Sequence, residues 1–284
     1  MHDSPLYKEE LRHFIKSALE EDIGRGDLTS LAIIPADQKL SAAMVARENM
    51  VIAGIFIAAE LIKTCDPLAQ IEIIAADGLE VVAGSTILKV NGNAQKLLAA
   101  ERAALNIVQH LSGIATLTRS YLRKIDHTDC RLLDTRKTIP GYRKIAKYAA
   151  RMGGAVNHRM RLDDGVLIKD NHIARIGSIK AAIEAAKAYD TRASTIGITV
   201  ECDTLAQAED AVEAGADRLL LDNMNNEKLR IAVEKYKGRV KLEASGGVTL
   251  ETIRATAETG VDYISVGRIT QSAPAVDIGL DYLD

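Results

Sequence analysis

Tryptophan is absent from the 284 residues, phenylalanine occurs twice, and aromatics make up 4% of the chain. A core has to be built from Ala, Ile, Leu and Val, which suits buried parallel strands and tight helix-on-sheet packing. Cysteine is scarce. Cys65, Cys130 and Cys202 stand far apart and follow no metal-ligand spacing. A sparse, odd count fits a reducing compartment, with all three as small packed side chains. No apolar run approaches the roughly 20 residues that span a bilayer, and the most apolar stretch, Val51 to Ile62, contains Glu60. Met1 to Lys16 has no apolar h-region, which argues against a signal peptide. A basic excess is missing too: the net charge is -3 and the pI about 6.1, which disfavours nucleic acid as the main partner. No pair of histidines has zinc-ligand spacing, and no Ser–His–Asp arrangement, dinucleotide fingerprint or P-loop is present. These absences point to a cytoplasmic protein with no membrane partner, long enough for one large α/β domain or a barrel plus a smaller domain.

What is present divides into two grammars. Up to about Gly113, helices mix with short strands. Leu6 to Glu20 predicts an amphipathic helix with Leu11, Phe14, Ile15 and Leu19 on one face, ending at Gly24 in a Gly-Arg-Gly-Asp turn. Leu40 to Arg47 and Ile71 to Ala75 predict strands, and Asp77-Gly78 and Asn91-Gly92 read as hairpin-type turns. A second helix is predicted from about Asn93 to Leu111, stopped by Ser112-Gly113.

Beyond Gly113, short apolar strands alternate with helical patterns. The predicted strands are Arg131–Asp134, Val166–Lys169, Gly197–Cys202, Arg218–Asp222, Lys241–Ala244 and Tyr263–Val266, a rhythm that implies a parallel sheet. An internal echo favours closure of that sheet. Thr204-Leu205 runs through Gly215-Ala216-Asp217 into one strand, and Thr249-Leu250 through Gly260-Val261-Asp262 into another. The expectation is an α/β fold, with an N-terminal α/β sandwich domain (1–113) followed by an incomplete, about six-stranded α/β barrel (114–269). The tail 270–284 is free to pack back on the first domain. An open doubly wound sheet is the alternative.

Barrel enzymes place their chemistry where strands end. Here the ends read Asp134-Thr135-Arg136-Lys137, Lys169-Asp170-Asn171-His172, Glu201, Asp222-Asn223, Ser245-Gly246-Gly247 and Gly267-Arg268. Between Arg131 and Lys169, ten Lys or Arg stand against three acids, +7 locally. Arginines are natural partners for carboxylates and phosphates. Arg136, Lys137, Arg159 and Lys169 lie at or near strand ends and read as functional; Lys144, Lys147 and Arg151 read as solvated helix faces. Ser245-Gly246-Gly247 opening a helix, with Gly267 closing the site, suggests a phosphate cradle. Glu201 and Asp222 could bind sugar hydroxyls or magnesium already held by substrate phosphates.

The central motifs, Asp134 to Arg143, Gly153-Gly154, Asn157-His158-Arg159 and Leu167 to His172, closely resemble the quinolinate phosphoribosyltransferase family. Glu21-Asp22 with Gly26 to Ser30, Glu101-Arg102 with Leu105-Asn106, and Ser112 to Thr116 extend the likeness over essentially the whole chain, as do Glu201, Leu221-Asp222-Asn223, Ser245-Gly246-Gly247 and Gly260-Val261-Asp262. The resemblance implies conversion of quinolinate and phosphoribosyl pyrophosphate to nicotinate mononucleotide, pyrophosphate and carbon dioxide with Mg2+, in de novo NAD synthesis. It also implies a homodimer with shared active sites, and leaves open assembly into hexamers. Arg136, His158, Arg159 and Lys169 would hold the two carboxylates of quinolinate, with Thr135 beside them. Lys137 would lie near the leaving pyrophosphate and, with Glu201 and Asp222, is expected to be catalytic; these two acids would contact ribose hydroxyls or the metal, which the protein alone would not hold. Ser245, Gly246, Gly247, Val266, Gly267 and Arg268 would hold the 5′-phosphate, and Arg102 would reach in from the partner subunit. From the helix pattern alone, Arg102 reads equally well as a snorkelling side chain. Arg268 and Gln271 depart from the family pattern, where a small residue or Lys, and His, are common.

Two rivals remain on sequence grounds. One is a related phosphoribosyltransferase with another acceptor, such as nicotinate; two carboxylates suit Arg136, Arg159 and Lys169 better than one. The other is a phosphate-binding barrel without catalysis, which should lack Lys137, Glu201 or Asp222; all three are present.

Overall fold

The computed structural model describes residues 8–189 and 197–283, so Leu6 and Tyr7 of the expected first helix lie outside the described residues. The chain forms two compact units. One takes in Met1–Arg119, Pro140–Gly154 and Ser272–Asp284; the other takes in Ser120–Ile139 and Ala155–Gln271.

In the first unit the strands are β1 (Lys39–Ala46), β2 (Met50–Val51), β3 (Gln70–Ile73), β4 (Glu80–Val81) and β5 (Thr86–Asn93). A four-stranded antiparallel sheet has the order C-terminal strand Ile278–Leu283, β1, β5, β3. The last segment of the chain thus closes the sheet of the first, with Ser41 opposite Leu283. Helices Lys8–Ile23, Ile55–Cys65, Ala94–Arg123 and Arg143–Gly153 belong to this unit for all or most of their length. Ala42, Met44, Ile57, Leu61, Ile87, Leu88, Ala104, Val108 and Leu111 are among its fully buried side chains.

Three sequence expectations fail here, each for a reason of packing. Asn91-Gly92 is no turn but lies inside β5. A Cβ on Gly92 would fall 2.7 Å from Asp66 Oδ2, so glycine serves a close approach; Asp66 is buried and accepts from Asn93 N–H at 2.9 Å. Nor does Ser112-Gly113 stop a helix, because Ala94–Arg123 runs straight through it. Ser112 Oγ accepts from the Ala53 N–H at 3.0 Å, and a Cβ on Gly113 would lie 2.0 Å from the Pro274 carbonyl oxygen. Lys147, read as solvated, is fully buried within helix Arg143–Gly153, whereas Arg151 is exposed and Lys144 pairs with Glu10.

The second unit holds β6 (Arg131–Leu133), β7 (Val166–Ile168), β8 (Ile198–Cys202), β9 (Arg218–Asp222), β10 (Lys241–Ser245) and β11 (Tyr263–Ser265), matching the expected strands to within a residue at each end. All their pairings are parallel, in the order β6-β11-β10-β9-β8-β7. The first strand lies beside the last rather than beside the second. That is the neighbour relation of a barrel and not of a doubly wound sheet. The opening falls between β6 and β7, where Val156 forms a parallel bridge with Leu133.

The internal echo has a structural cause. Asp217 Oδ2 accepts from Ile198 N–H at 2.7 Å, and Asp262 Oδ2 accepts from Leu242 N–H at 2.9 Å. In both repeats the same aspartate also donates its own N–H to that residue's carbonyl, at 2.9 Å for Asp217 and 3.0 Å for Asp262. Each therefore ties its turn to the start of the preceding barrel strand. Of the ten cations in the +7 segment, Arg143, Lys144, Lys147 and Arg151 belong to the first unit and the other six to the second.

Gly113→Ala should destabilise the protein by about 1–3 kcal/mol through overpacking against Pro274. Urea unfolding of the variant is the check. A midpoint matching that of the parent would show that the close approach is not needed.

Candidate active site

All the expected site residues except Arg102 lie in the second unit. The loop after β6 starts from Asp134, which is completely buried. Its Oδ1 accepts from His158 N–H at 2.8 Å and its Oδ2 from Asn157 Nδ2 at 2.5 Å. A buried carboxylate is tolerated only when its oxygens are satisfied in this way. Asp134 thereby joins two stretches of basic residues, 135–137 and 158–159.

Thr135 Oγ1 accepts from Lys137 N–H at 3.0 Å, and the Lys137 carbonyl accepts from Thr270 Oγ1 at 2.9 Å. The Lys137 side chain runs past Gly267, where a Cβ would sit 2.9 Å from Lys137 Cδ. Arg136 Nε is buried without a hydrogen-bond partner. Arg159 donates to Gly165 O at 2.9 Å. Burial, and then the charge of Arg136, push the Arg159 guanidinium below its ordinary range, partly offset by Asp164. Two cations thus act on each other across a partly desolvated space. That arrangement is unfavourable until an anion enters.

Lys169 leaves β7 with its Nζ donating to Glu201 Oε2 at 2.5 Å, and its N–H donates to His172 Nδ1 at 2.9 Å. Asp222 ends β9 opposite Ser245 and accepts from Asn223 Nδ2 at 2.6 Å. Asn223 has a φ of 53° and donates its N–H to Ser245 O at 2.9 Å. Gly246 could carry no side chain: its φ is 95° and a Cβ would meet Asn223 Oδ1 at 2.2 Å. Beside Gly247 the space is open.

One detail of the expected cradle is corrected. Ser245-Gly246-Gly247 does not open a helix; the next one is the short Ile253–Ala257. Anion contacts here would come from loop amides, not a helix end. Val266 is 2% exposed and its N–H is committed to Leu133 O at 3.0 Å. Arg268 is exposed at the start of the short helix Arg268–Gln271, near enough to act electrostatically on Tyr121 and Glu251. Arg102, in the first unit, is exposed on helix Ala94–Arg123.

Comparison with known proteins decides the lineage. The family model described as quinolinate phosphoribosyl transferase, N-terminal domain, matches residues 27–112, and the C-terminal domain of the same family matches 114–281. The chain belongs to the quinolinate phosphoribosyl transferase family. It is 42% identical over 274 residues to the probable nicotinate-nucleotide pyrophosphorylase (carboxylating) of Bacillus subtilis, covering 96% of this chain and 92% of the relative. With the nicotinate-nucleotide pyrophosphorylase (carboxylating) of Mycobacterium leprae it shares 40% over 276 residues, 95% of this chain and 96% of that one. The solved nicotinate-nucleotide pyrophosphorylase from Francisella tularensis has a TM-score of 0.93 at 38% identity, covering 100% of this chain and 99% of its own.

Within this quinolinate phosphoribosyl transferase fold, sequence reasoning passed over two buried acids. Asp134 was read as part of a motif and given no role. Glu243 was counted only as part of the strand Lys241–Ala244, yet it is fully buried and pairs with Arg218 and His158. A charged residue between Leu242 and Ala244 in a barrel strand was the available signal.

Proposed function

We propose that the protein transfers the phosphoribosyl group of phosphoribosyl pyrophosphate to quinolinate, giving nicotinate mononucleotide, pyrophosphate and carbon dioxide, a step of de novo NAD synthesis. Family membership and the names of its relatives support the reaction. The observation that carries the substrate assignment is the pair Arg136 and Arg159, two mutually repelling guanidiniums with a buried, unpartnered Nε between strand ends. A planar dianion relieves that repulsion.

In this reading Arg136, Arg159 and Lys169 grip the two carboxylates and hold the ring nitrogen in line with the anomeric carbon of the ribose. The nitrogen's lone pair forms the new C–N bond as the C–O bond to pyrophosphate breaks. Lys137 meets the charge developing on the leaving group. The pyridinium so formed accepts the electron pair of the C–C bond when the adjacent carboxylate departs as carbon dioxide, and the ring carbon then takes a proton from solvent. Loop amides at Gly246 and Gly247, with Ser245, hold the 5′-phosphate, and Glu201 and Asp222 face the ribose hydroxyls. Among the described residues no group of three or more His, Cys, Asp or Glu could hold a metal ion. Two carboxylates suit magnesium that keeps water and substrate oxygens as its main ligands, where it would neutralise charge on the pyrophosphate.

Shared sites in a homodimer belong to the same proposal, supported by the exposure of Arg102. So does residence in the cytoplasm, which the free Cys65, Cys130 and Cys202 favour.

Purified protein given quinolinate, phosphoribosyl pyrophosphate and magnesium should release nicotinate mononucleotide and carbon dioxide in equal amounts, and chelation of the metal should stop both. Pyrophosphate release without carbon dioxide would mean transfer without decarboxylation and would overturn the assignment. Arg159→Ala should lower kcat/KM by roughly 10²–10³-fold, the scale of a lost charged donor; a near-parental rate would remove Arg159 from the clamp. Arg102→Ala and Lys169→Ala homodimers should each be inactive, while mixed dimers regain one intact site. Absence of recovery in demonstrated heterodimers would exclude Arg102 acting across the interface.

A further inference from the structure

We propose that Glu243 is a positioning residue for the acceptor clamp: it sets the tautomer of His158, and His158 anchors the backbone from which the Arg159 guanidinium projects. The inference rests on the reaction proposed above and deepens it.

Glu243 stands in β10 with no exposed surface. Its Oε2 accepts from Arg218 Nη1 at 3.2 Å, and Arg218 also lies over the Tyr263 ring, 4.5 Å from its centroid. The other oxygen, Oε1, makes no hydrogen bond and lies 3.6 Å from His158 Nε2, an ion-pair distance. On the far side of the imidazole, Nδ1 accepts from the Arg159 backbone N–H at 2.7 Å. The His158 main chain is fixed separately, by the N–H bond to Asp134.

These contacts demand one protonation pattern. Burial pushes the Glu243 carboxyl up, but His158, Arg218 and Ser265 outweigh it and hold the group below its ordinary range, so it is ionised at neutral pH. An ionised carboxylate only accepts hydrogen bonds. The imidazole nitrogen facing it must carry the proton, and Nδ1 is then the bare acceptor that Arg159 N–H requires. The opposite tautomer would set two N–H groups against each other at Arg159. Nδ1 is thus taken by the Arg159 N–H and Nε2 faces Glu243, which places His158 as a strut between the two.

The strut matters because of what it supports. Arg136 and Arg159 repel in the absence of an anion. Fixing the Arg159 backbone limits how far its guanidinium can withdraw from Arg136, and such preorganisation is what recognition of an anion depends on. Arg159 is tied at one end by Gly165 O and at the other by His158 Nδ1.

Glu243→Gln keeps the shape but presents either an acceptor or a donor to Nε2, so the tautomer is no longer enforced. The KM and calorimetric Kd for quinolinate should rise roughly tenfold, the scale of one lost polar interaction. Affinity for phosphoribosyl pyrophosphate and kcat at saturating quinolinate should stay near parental values. Unchanged quinolinate affinity in the folded variant overturns the proposal. Nitrogen-15 NMR of His158 in the parent protein gives a second test that does not depend on the variant folding. The neutral Nε2–H form at pH 7 is expected, and an imidazolium or an Nδ1–H ring overturns the proposal. Failure of the parent protein to bind quinolinate at all would sink the reaction instead, while the NMR result would still decide the link between Glu243 and His158.

Discussion

The second unit depends on one buried carboxylate. A six-stranded parallel sheet leaves a gap between its first and second strands, and at that gap β6 has only Val156 for a partner. Asp134 completes the junction. Its own N–H donates to Val156 O at 3.2 Å, and its two oxygens take Asn157 Nδ2 and His158 N–H. Hydrogen bonds to a charged group contribute about 1.5–3 kcal/mol each, whereas an unsatisfied buried carboxylate costs more than either supplies. The two chain segments are thus locked in register, and the basic residues on either side of the lock cannot drift independently. Thr135, Arg136 and Lys137 follow it directly on one segment; Arg159 follows His158 on the other.

Against that fixed geometry the cations of the site differ in kind. Lys169 is paired with Glu201, so an incoming carboxylate competes for it. Arg136 and Arg159 have each other as electrostatic neighbours, with only Asp164 offsetting the pair at Arg159. Under the proposed reaction the larger gain from binding a dianion comes from the arginines, because there the anion removes a repulsion as well as adding an attraction.

Much of this was legible in the sequence and some was not, and the division follows the range of the interaction. Barrel strands are short apolar runs bounded by Gly, Asp or charged residues, so their positions are local information; the recurring Asp217 and Asp262 even exposed the repeat that sets the topology. Gly113 and Gly92 misled because a glycine that ends an element and one that admits a distant chain look identical in one dimension. Their true partners, Pro274 and Asp66, are remote in sequence. Lys147 misled for a different reason: 143, 147 and 151 recur on one side of the helix, the pattern of a solvated stripe, yet Lys147 in the middle of it is buried. Strand-end cations mark the candidate site in the sequence, whereas the partners of the buried acids, Asn157 and His158 for Asp134 and His158 and Arg218 for Glu243, are remote in sequence and leave only a charge in an apolar run as a sign.

The expected phosphate cradle has a different local structure from the one its sequence suggests. Ser245-Gly246-Gly247 was read through the dipole of a following helix, and that helix begins only at Ile253. The glycines have other reasons to be there. Gly246 combines a φ of 95° with an approach of Asn223 that admits no side chain, and Gly267 leaves room for Lys137. Under the proposed reaction the cradle is a matter of bare backbone and open space beside Gly247, with no dipole required. The departures at Arg268 and Gln271 then lose much of their force. Both side chains are exposed, on the short helix that follows Gly267. A site defined by absent Cβ atoms tolerates change at its rim as long as Gly246 and Gly267 stay bare.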